Sequence, residues 1–350
     1  MRGILACLLA SCFFGCQRTA HKRFPIGIFG VTSPAHLHLL KKAGFDTVQT
    51  YSLDPTILES FAKEARRCGL KLLIFPNRLR QAPSTRTKNW PVDAWYLQDE
   101  PDVAKTLPSE LMKTSENTRL WDPLRLQAFV VGQGKAAEAY GKIGDIMMLD
   151  WYPVPHLALD SVADEIDALV RAIPGGKPVW MVIQAFDWRD EKQRDPKKPR
   201  IGRFPDHAEM RFMSYLAVVH GAQGLFYFQL GKAGNRTLFD VPEDWQALRR
   251  VAMEMKTMQH VFEQGKIIQV PFPTTDWGLE AKAWSFHGRE YVILLNRRKG
   301  FLAPMPTELL RSNWRPLFEF RRDAREALTK AGDEFFLKPY QVIVLENAFF

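Results

Sequence analysis

The sequence predicts a (β/α)8 barrel, or TIM barrel, followed by a small all-β domain. From residue 24 to about 262, eight short apolar runs alternate with segments of helical periodicity, the pattern of repeated βα units. From about residue 266 to 350 helical periodicity is absent and strand-like runs follow one another. The 350 residues, 46% of them hydrophobic, are enough for one large and one small domain.

The predicted barrel strands are almost continuously apolar, as expected when both faces of a strand are buried. They cover residues 25–31, 47–51, 71–76, 94–102, 126–131, 146–153, 178–186 and 225–229. Pro101 lacks an N–H group and is predicted to end the fourth strand.

Helix signals lie between these strands. Ser33 and Asp54, each followed by proline, predict helix starts, as does Asp206, and Gly69 predicts a helix end. The third unit differs, because only a basic, polar stretch lies between Phe75 and Trp90, which predicts a loop in place of its helix. In the C-terminal part, the runs 279–286 and 290–296 flank His287-Gly288, a predicted hairpin turn. Together with the runs 317–320 and 335–346 they predict a sandwich packed on the barrel.

The first residues resemble a bacterial lipoprotein signal peptide, predicted to cover residues 1–16. Arg2 precedes a short apolar run that ends in two possible lipidation motifs, residues 9–12 and 13–16. Cys16 is preferred over Cys12 because it leaves a more normal signal length and a polar mature start at Gln17. The resemblance implies export, cleavage and a lipid anchor in the bacterial cell envelope, and an ordinary secretory signal is the alternative. After cleavage Cys68 is the only other thiol, so no intrachain disulfide is expected.

The charge and the motifs exclude several classes of function. The formal net charge is +9, but residues 189–203 hold seven Lys/Arg against three Asp/Glu, so nearly half of the excess is local. No nucleic-acid motif accompanies it, and no nucleic-acid partner is predicted. No G-x-S-x-G or phosphate-binding loop is present. No pair of histidines has convincing metal-ligand spacing, so neither a metal nor another cofactor is predicted.

Polar and aromatic residues recur where the predicted strands end. Asp99 and Glu100 follow the apolar run Trp95-Tyr96-Leu97, where carboxylates carry a desolvation cost unless they are paired or used. The carboxyl ends of barrel strands share one rim, where such folds carry their active sites. Carboxylates with Trp and Tyr suit sugars, because acids act on the glycosidic oxygen and aromatic faces stack on sugar rings. The predicted catalytic and substrate-binding residues are Asp99, Glu100, Asp150, Tyr51, Trp151, Tyr152, Gln184, Asp187, Trp188 and Gln229. The alternative for the fourth strand is a structural turn with a helix-capping Asp.

Two segments resemble TIM-barrel glycoside hydrolases of the clan-A type with a C-terminal β domain. They are residues 96–101, Tyr-Leu-Gln-Asp-Glu-Pro, and residues 211–228, where Gly-Ala-Gln-Gly precedes an aromatic strand. The resemblance implies a carbohydrate substrate and makes Glu100 the acid/base at the end of strand four. Relatives of this type place a nucleophilic Glu at the end of strand seven, where this chain has Gln184 and then Asp187.

Three interpretations of the second catalytic group stay open. Asp150, the leading candidate, or Asp187 supplies the second carboxylate. Alternatively, Asp99 and Glu100 act as the Asp-Glu pair of barrel hexosaminidases, in which the substrate's acetamido group attacks. Because neighbouring residues of a strand point to opposite faces, that mechanism requires the strand to twist or end at Asp99. The third interpretation is a glycan-binding lipoprotein without catalysis. The basic segment 189–203 is either a solvated loop or part of the rim that attracts an acidic sugar.

Overall fold

The computed structural model describes residues 23–191, 200–272, 278–311, 313–318, 329–331 and 334–348. The predicted signal peptide, with Cys12 and Cys16, lies outside these residues. Within them, eight parallel strands close into a barrel in sequential order, which confirms the predicted fold class. The strands are β1 (Ile26–Ile28), β2 (Thr47–Gln49), β3 (Lys71–Ile74), β4 (Val92–Tyr96), β5 (Leu126–Val131), β6 (Ile146–Trp151), β7 (Val179–Gln184) and β8 (Leu225–Phe228).

Helices connect the strands around the outside of the barrel. They are α1 (Leu37–Lys42), α2 (Pro55–Cys68), α3 (Pro108–Trp121), α4 (Ala137–Tyr140), α5 (Ser161–Ala172), α6 (His207–Val219) and α7 (Pro242–Gln264). The caps follow the sequence signals: Asp54 accepts hydrogen bonds at the start of α2, Gly69 ends that helix at a φ of 66°, and Asp206 caps α6. The segment between β3 and β4 contains no α-helix, as predicted, but it forms two 3₁₀ helices, Arg78–Gln81 and Ser84–Thr87, where a loop was expected.

The barrel strands separate two apolar layers. Inward-facing residues such as Phe29, Tyr96, Trp180 and Phe226 fill the barrel interior. Residues of the opposite phase, including Trp95, pack against the surrounding helices. Gly27 makes room for this filling, because a Cβ atom there would lie 2.1 Å from the Phe226 ring. The phase of each strand therefore decides which of its last residues reach the rim.

Antiparallel sheets form the C-terminal part. Five strands pair in the order β13 (Arg315–Pro316), β16 (Val342–Ala348), β11 (Arg289–Asn296), β10 (Leu279–Phe286) and β9 (Lys266–Ile268). Three more pair in the order β12 (Ala303–Pro304), β15 (Glu334–Leu337) and β14 (Thr329–Ala331). The predicted hairpin turn is confirmed, since His287 and Gly288 join β10 and β11 with positive φ angles of 49° and 71°. A short helix, α8 (Thr307–Arg311), was not expected from the sequence.

The five-stranded sheet packs on the barrel through one face. Trp284, Ile293 and Val344 belong to the apolar layer shared with the barrel helices. Residues of the opposite phase, such as Val292 and Ile343, pack towards the three-stranded sheet. Polar contacts join the same parts, because Arg211 of α6 donates a 2.7 Å hydrogen bond to the Val342 carbonyl oxygen. In the described part of the chain, no helix is both long enough and apolar enough to cross a membrane.

Candidate active site

A cavity of about 200 Å³ opens at the carboxyl ends of the barrel strands. Of the four carboxyl side chains that line it, three come from strand ends: Asp99 and Glu100 after β4 and Asp150 in β6. The remaining lining residues are Phe29, Tyr51, Val130, Tyr152, Val182, Phe186, Trp188, Glu191, Arg200 and Phe228. The cavity therefore combines acids with aromatic walls, as the strand-end pattern predicts.

Asp99 and Glu100 reach the cavity from a loop. β4 ends at Tyr96, earlier than predicted, so the alternation of side chains along a strand does not separate the two acids. Asp99 accepts hydrogen bonds from the hydroxyls of Tyr96 at 2.5 Å and Tyr51 at 3.2 Å. Burial raises the pKa of Asp99, and these two hydrogen bonds oppose that rise. The geometry thus removes the objection to Asp99 and Glu100 acting in one site.

The position of Glu100 depends on close packing with β5. Its backbone has a positive φ of 40°, uncommon for a residue with a side chain. Gly132 follows β5, and a Cβ atom built there would lie 3.1 Å from Glu100 Oε1 and 2.8 Å from Val103 Cγ2. The Gly132 amide donates a 3.1 Å hydrogen bond to Asp102 Oδ1, which ties the loop after β4 to β5.

Asp150 is the most buried of the three acids. Only 7% of the residue is exposed, and its Oδ1 atom has no hydrogen-bond partner among the described residues. Burial raises the pKa of Asp150 well above its usual range, and the charges of Glu100 and Asp99 raise it further. A hydrogen bond with Tyr152 opposes these effects. This cluster therefore favours the retention of a proton, which general acid catalysis requires.

Aromatic rings form the walls. Tyr152 stacks on Phe228 with ring centres 5.5 Å apart, and Trp188 packs edge-on against Phe186 at 4.9 Å. Tyr51 stands at the mouth, 39% exposed. Such surfaces fit the apolar faces of sugar rings, while the hydroxyls of Tyr51 and Tyr152 hydrogen-bond the carboxyl groups of Asp99 and Asp150.

Four predicted binding residues do not line this cavity, and two of them, Trp151 and Gln184, make contacts elsewhere in the barrel. Trp151 points outward, where its Nε1 donates a 2.9 Å hydrogen bond to Ser161 Oγ of α5, because it has the opposite phase to Tyr152. Gln184 is buried and bonds both backbone groups of Val154 at 2.8 Å. The structure therefore places the side chains of Trp151 and Gln184 apart from the rim cavity.

The Asp187 carboxylate interacts with residues next to it in the chain. Its carboxylate caps the 3₁₀ helix Trp188–Asp190 and forms a 2.5 Å ion pair with Arg189. Burial raises the pKa of Asp187, but the hydrogen bonds from Arg189 outweigh this effect and lower it. Asp187 does not line the cavity, which argues against its role as the second catalytic carboxylate.

Glu191, Arg200 and Gln229 extend the site. Gln229 lies in an adjoining cavity of about 490 Å³ and donates a 2.9 Å hydrogen bond to Glu191, which lines both cavities. The Arg200 guanidinium lies over the Trp188 ring, 5.2 Å from its centre. Glu191 and Arg200 were not singled out in the sequence, where their only signal is the charged segment 189–203.

Another cavity of about 460 Å³ lies between the barrel and the β sheets. Its acids are engaged, since Asp206 and Glu209 form the capping box of α6 and Glu209 also pairs with Arg203 at 2.6 Å. Among the described residues, no group of three or more His, Cys, Asp and Glu is placed to hold a metal ion. The rim cavity is therefore the better candidate for acid/base chemistry.

No protein-family model matches this chain, and no curated protein shows significant sequence similarity.

Solved structures, by contrast, share the fold. A protein described as a glycoside hydrolase superposes with a TM-score of 0.60 at 13% identity, covering 92% of both chains. A glycoside hydrolase family 5 protein from Bacteroides vulgatus gives 0.56 at 15% identity, covering 92% of this chain and 88% of its own. A GH30 endoxylanase from Clostridium papyrosolvens gives 0.51 at 11% identity, covering 93% and 96%. The fold is that of these glycoside hydrolases. At such identities the likeness extends to the fold alone.

Proposed function

We propose that this protein is a glycoside hydrolase that cleaves a glycan in the rim cavity. The observation that carries the proposal is the convergence of Asp99, Glu100 and Asp150 in one aromatic-walled cavity at the carboxyl ends of the strands. Glycosidic bond cleavage requires a proton donor to the leaving oxygen and a second group to act on the opposite side of the sugar. The glycoside hydrolases that share the fold are consistent with this chemistry.

Glu100 and Asp150 act as the catalytic pair. Glu100, the less buried of the two, is the acid/base that reaches the glycosidic oxygen. Asp150 is the second carboxyl group, and burial together with the charges of Glu100 and Asp99 raises the pKa of Asp150, which favours the retention of one proton within the pair. As the pH rises through that pKa the pair loses this proton, so activity falls towards alkaline pH.

Asp99 has a supporting role that depends on the substrate. Tyr51 and Tyr96 hold its carboxyl group in place. If the substrate carries a 2-acetamido group, Asp99 orients that group for internal attack and Glu100 protonates the leaving oxygen. Activity confined to 2-acetamido sugars would favour this mechanism over the one in which Asp150 attacks.

Catalysis accounts for the cavity better than glycan binding alone. A buried carboxyl oxygen without a hydrogen bond, as at Asp150 Oδ1, costs stability. A bound glycan could recover that cost through a hydroxyl group, but the raised pKa of Asp150 fits the proton handling that catalysis needs.

A panel of chromogenic glycosides and polysaccharides tests the proposal directly. We expect the purified protein to hydrolyse at least one member, and Glu100→Gln to abolish most of that hydrolysis. Hydrolysis of no member, combined with retained glycan binding, would support the non-catalytic alternative.

We also propose that the protein is an exported lipoprotein anchored through Cys16. The support is the N-terminal sequence, an apolar run that ends in a cysteine. Cys16→Ser should move the protein from the membrane to the soluble fraction, whereas Cys12→Ser should not. Unchanged fractionation of Cys16→Ser would shift the assignment to Cys12 or remove the anchor.

A further inference from the structure

Among the described residues, one cation, Arg200, lines the acidic cavity. Arg200 lines the cavity together with Asp99, Glu100, Asp150 and Glu191. Its Nη1 atom is buried and makes no hydrogen bond to any described residue. A buried guanidinium N–H without an acceptor carries a desolvation cost, which a ligand supplying an acceptor would recover.

Most of the carboxyl groups in the cavity are held by other partners. Asp99 accepts from two tyrosines, Asp150 bonds Tyr152, and Glu191 accepts from Gln229. The Trp188 ring contacts Arg200 from one side through a cation–π interaction, which supplies no hydrogen-bond acceptor in the plane of the guanidinium. The side chain is therefore positioned to bind a ligand.

We propose that Arg200 binds the carboxylate of an acidic sugar, so that the substrate carries a uronic acid in this cavity. The inference rests on the proposed glycan substrate and names its class. A guanidinium presents parallel N–H donors that match the two oxygens of a carboxylate, whereas a sugar hydroxyl leaves the charge uncompensated. A carboxylate in place of the primary alcohol is what distinguishes a uronic acid from the neutral hexose.

The surrounding acids do not oppose this ligand as strongly as their number implies. Burial raises the pKa of Asp150 well above its usual range and raises that of Asp99 as well, which favours the neutral forms of both groups. An anionic sugar that enters beside Arg200 therefore meets fewer full charges than four carboxylates would present.

Binding measurements separate this inference from the question of catalysis. Calorimetric titration would use oligogalacturonate and glucuronic-acid oligosaccharides, each with its neutral counterpart, and one sulfated oligosaccharide. We expect the protein to bind at least one uronate more tightly than its neutral counterpart. Arg200→Gln should weaken that binding about 10- to 100-fold and leave the neutral ligand unchanged.

Arg203→Gln is the matched control, because it removes the same charge three residues away, where Arg203 pairs with Glu209 outside this cavity. It should leave uronate binding unchanged, and circular dichroism should show both variants folded. Equal binding of acidic and neutral sugars, or a uronate preference that survives Arg200→Gln, overturns the inference. So does a preference for the sulfated ligand.

The two proposals fail in different ways. Hydrolysis of a neutral glycan without a uronate preference overturns the acidic-sugar site and leaves the hydrolase proposal intact. Uronate binding that depends on Arg200, without hydrolysis of any glycan, supports the site and contradicts the hydrolase proposal.

Discussion

At the scale of single residues, Gly132 controls the room available to the Glu100 carboxyl group. A methyl group on Gly132 would meet Val103 at 2.8 Å and Glu100 Oε1 at 3.1 Å, so Gly132→Ala should displace the loop after β4. Small displacements of a catalytic group cost large factors in rate, and we expect kcat/KM to fall about 10-fold or more.

Gly175→Ala is the matched control for Gly132→Ala, because nothing lies within 4 Å of a Cβ atom at Gly175. Steady-state kinetics on an active glycoside, with thermal unfolding beside it, would compare the two variants. Unchanged kinetics in a folded Gly132→Ala protein would show that Glu100 does not need its present position.

At the scale of secondary structure, His220 joins three elements. It follows α6, and its ring nitrogens bond Asp167 of α5 at 2.8 Å and Glu280 of β10 at 2.6 Å. Burial lowers the pKa of His220, but the hydrogen bonds to Glu280 and Asp167 outweigh burial and raise it above 6.5. Protonated His220 therefore stabilises the contact between the barrel and the five-stranded sheet.

The sign of the pH dependence follows from that raised pKa. The stabilisation is complete below the pKa of the unfolded chain, near 6.5, and is lost as pH rises through the folded pKa. His220→Gln should lower the free energy of unfolding by about 1–3 kcal/mol at pH 6 and by less at pH 9. Urea unfolding at both pH values measures this difference, and an equal loss at the two would contradict a charged His220.

Secondary-structure elements that depend on interactions between nearby residues, or on burial of the whole segment, were predictable from sequence. Asp54, Asp206 and Gly69 cap helices through bonds within a few residues, and β5 and β7 are apolar because both faces are buried. The ends of β4 and β6 were less predictable. An apolar run does not show where hydrogen bonding to the next strand stops. The sequence predicts that the fourth strand continues through Leu97 and Gln98, whereas β4 ends at Tyr96.

The site was predictable in its location and only partly in its members. Strand ends of a barrel share a rim, which brought Tyr51, Asp99, Glu100, Asp150 and Tyr152 together as expected. Trp151 points away from the cavity because its position in β6 turns its side chain towards α5. The Asp187 carboxylate caps a 3₁₀ helix instead of lining the cavity. Residue type alone does not determine either orientation. Arg200 arrives from a loop, where sequence pattern does not determine spatial neighbours.

At the scale of the whole molecule, the proposed chemistry belongs to the barrel. The described residues that line the rim cavity all lie between Phe29 and Phe228, whereas the five-stranded sheet packs against the outside through α6 and its neighbours. Changes in the β sheets should therefore affect stability more than catalysis, and the roles of Glu100 and Asp150 can be tested in the intact chain.

The most direct test compares Glu100→Gln and Asp150→Asn on two glycosides of the same sugar, one with an alkyl and one with a 4-nitrophenyl leaving group. Glu116→Gln, on the exposed surface of α3, is the control and should match wild type. We expect Glu100→Gln to lower kcat/KM about 10²- to 10⁴-fold on the alkyl glycoside and much less on the 4-nitrophenyl glycoside, which needs little proton donation to depart. Asp150→Asn should impair both substrates to a similar extent. Full turnover of the alkyl glycoside by a folded Glu100→Gln protein would contradict the assignment of Glu100 as the acid/base.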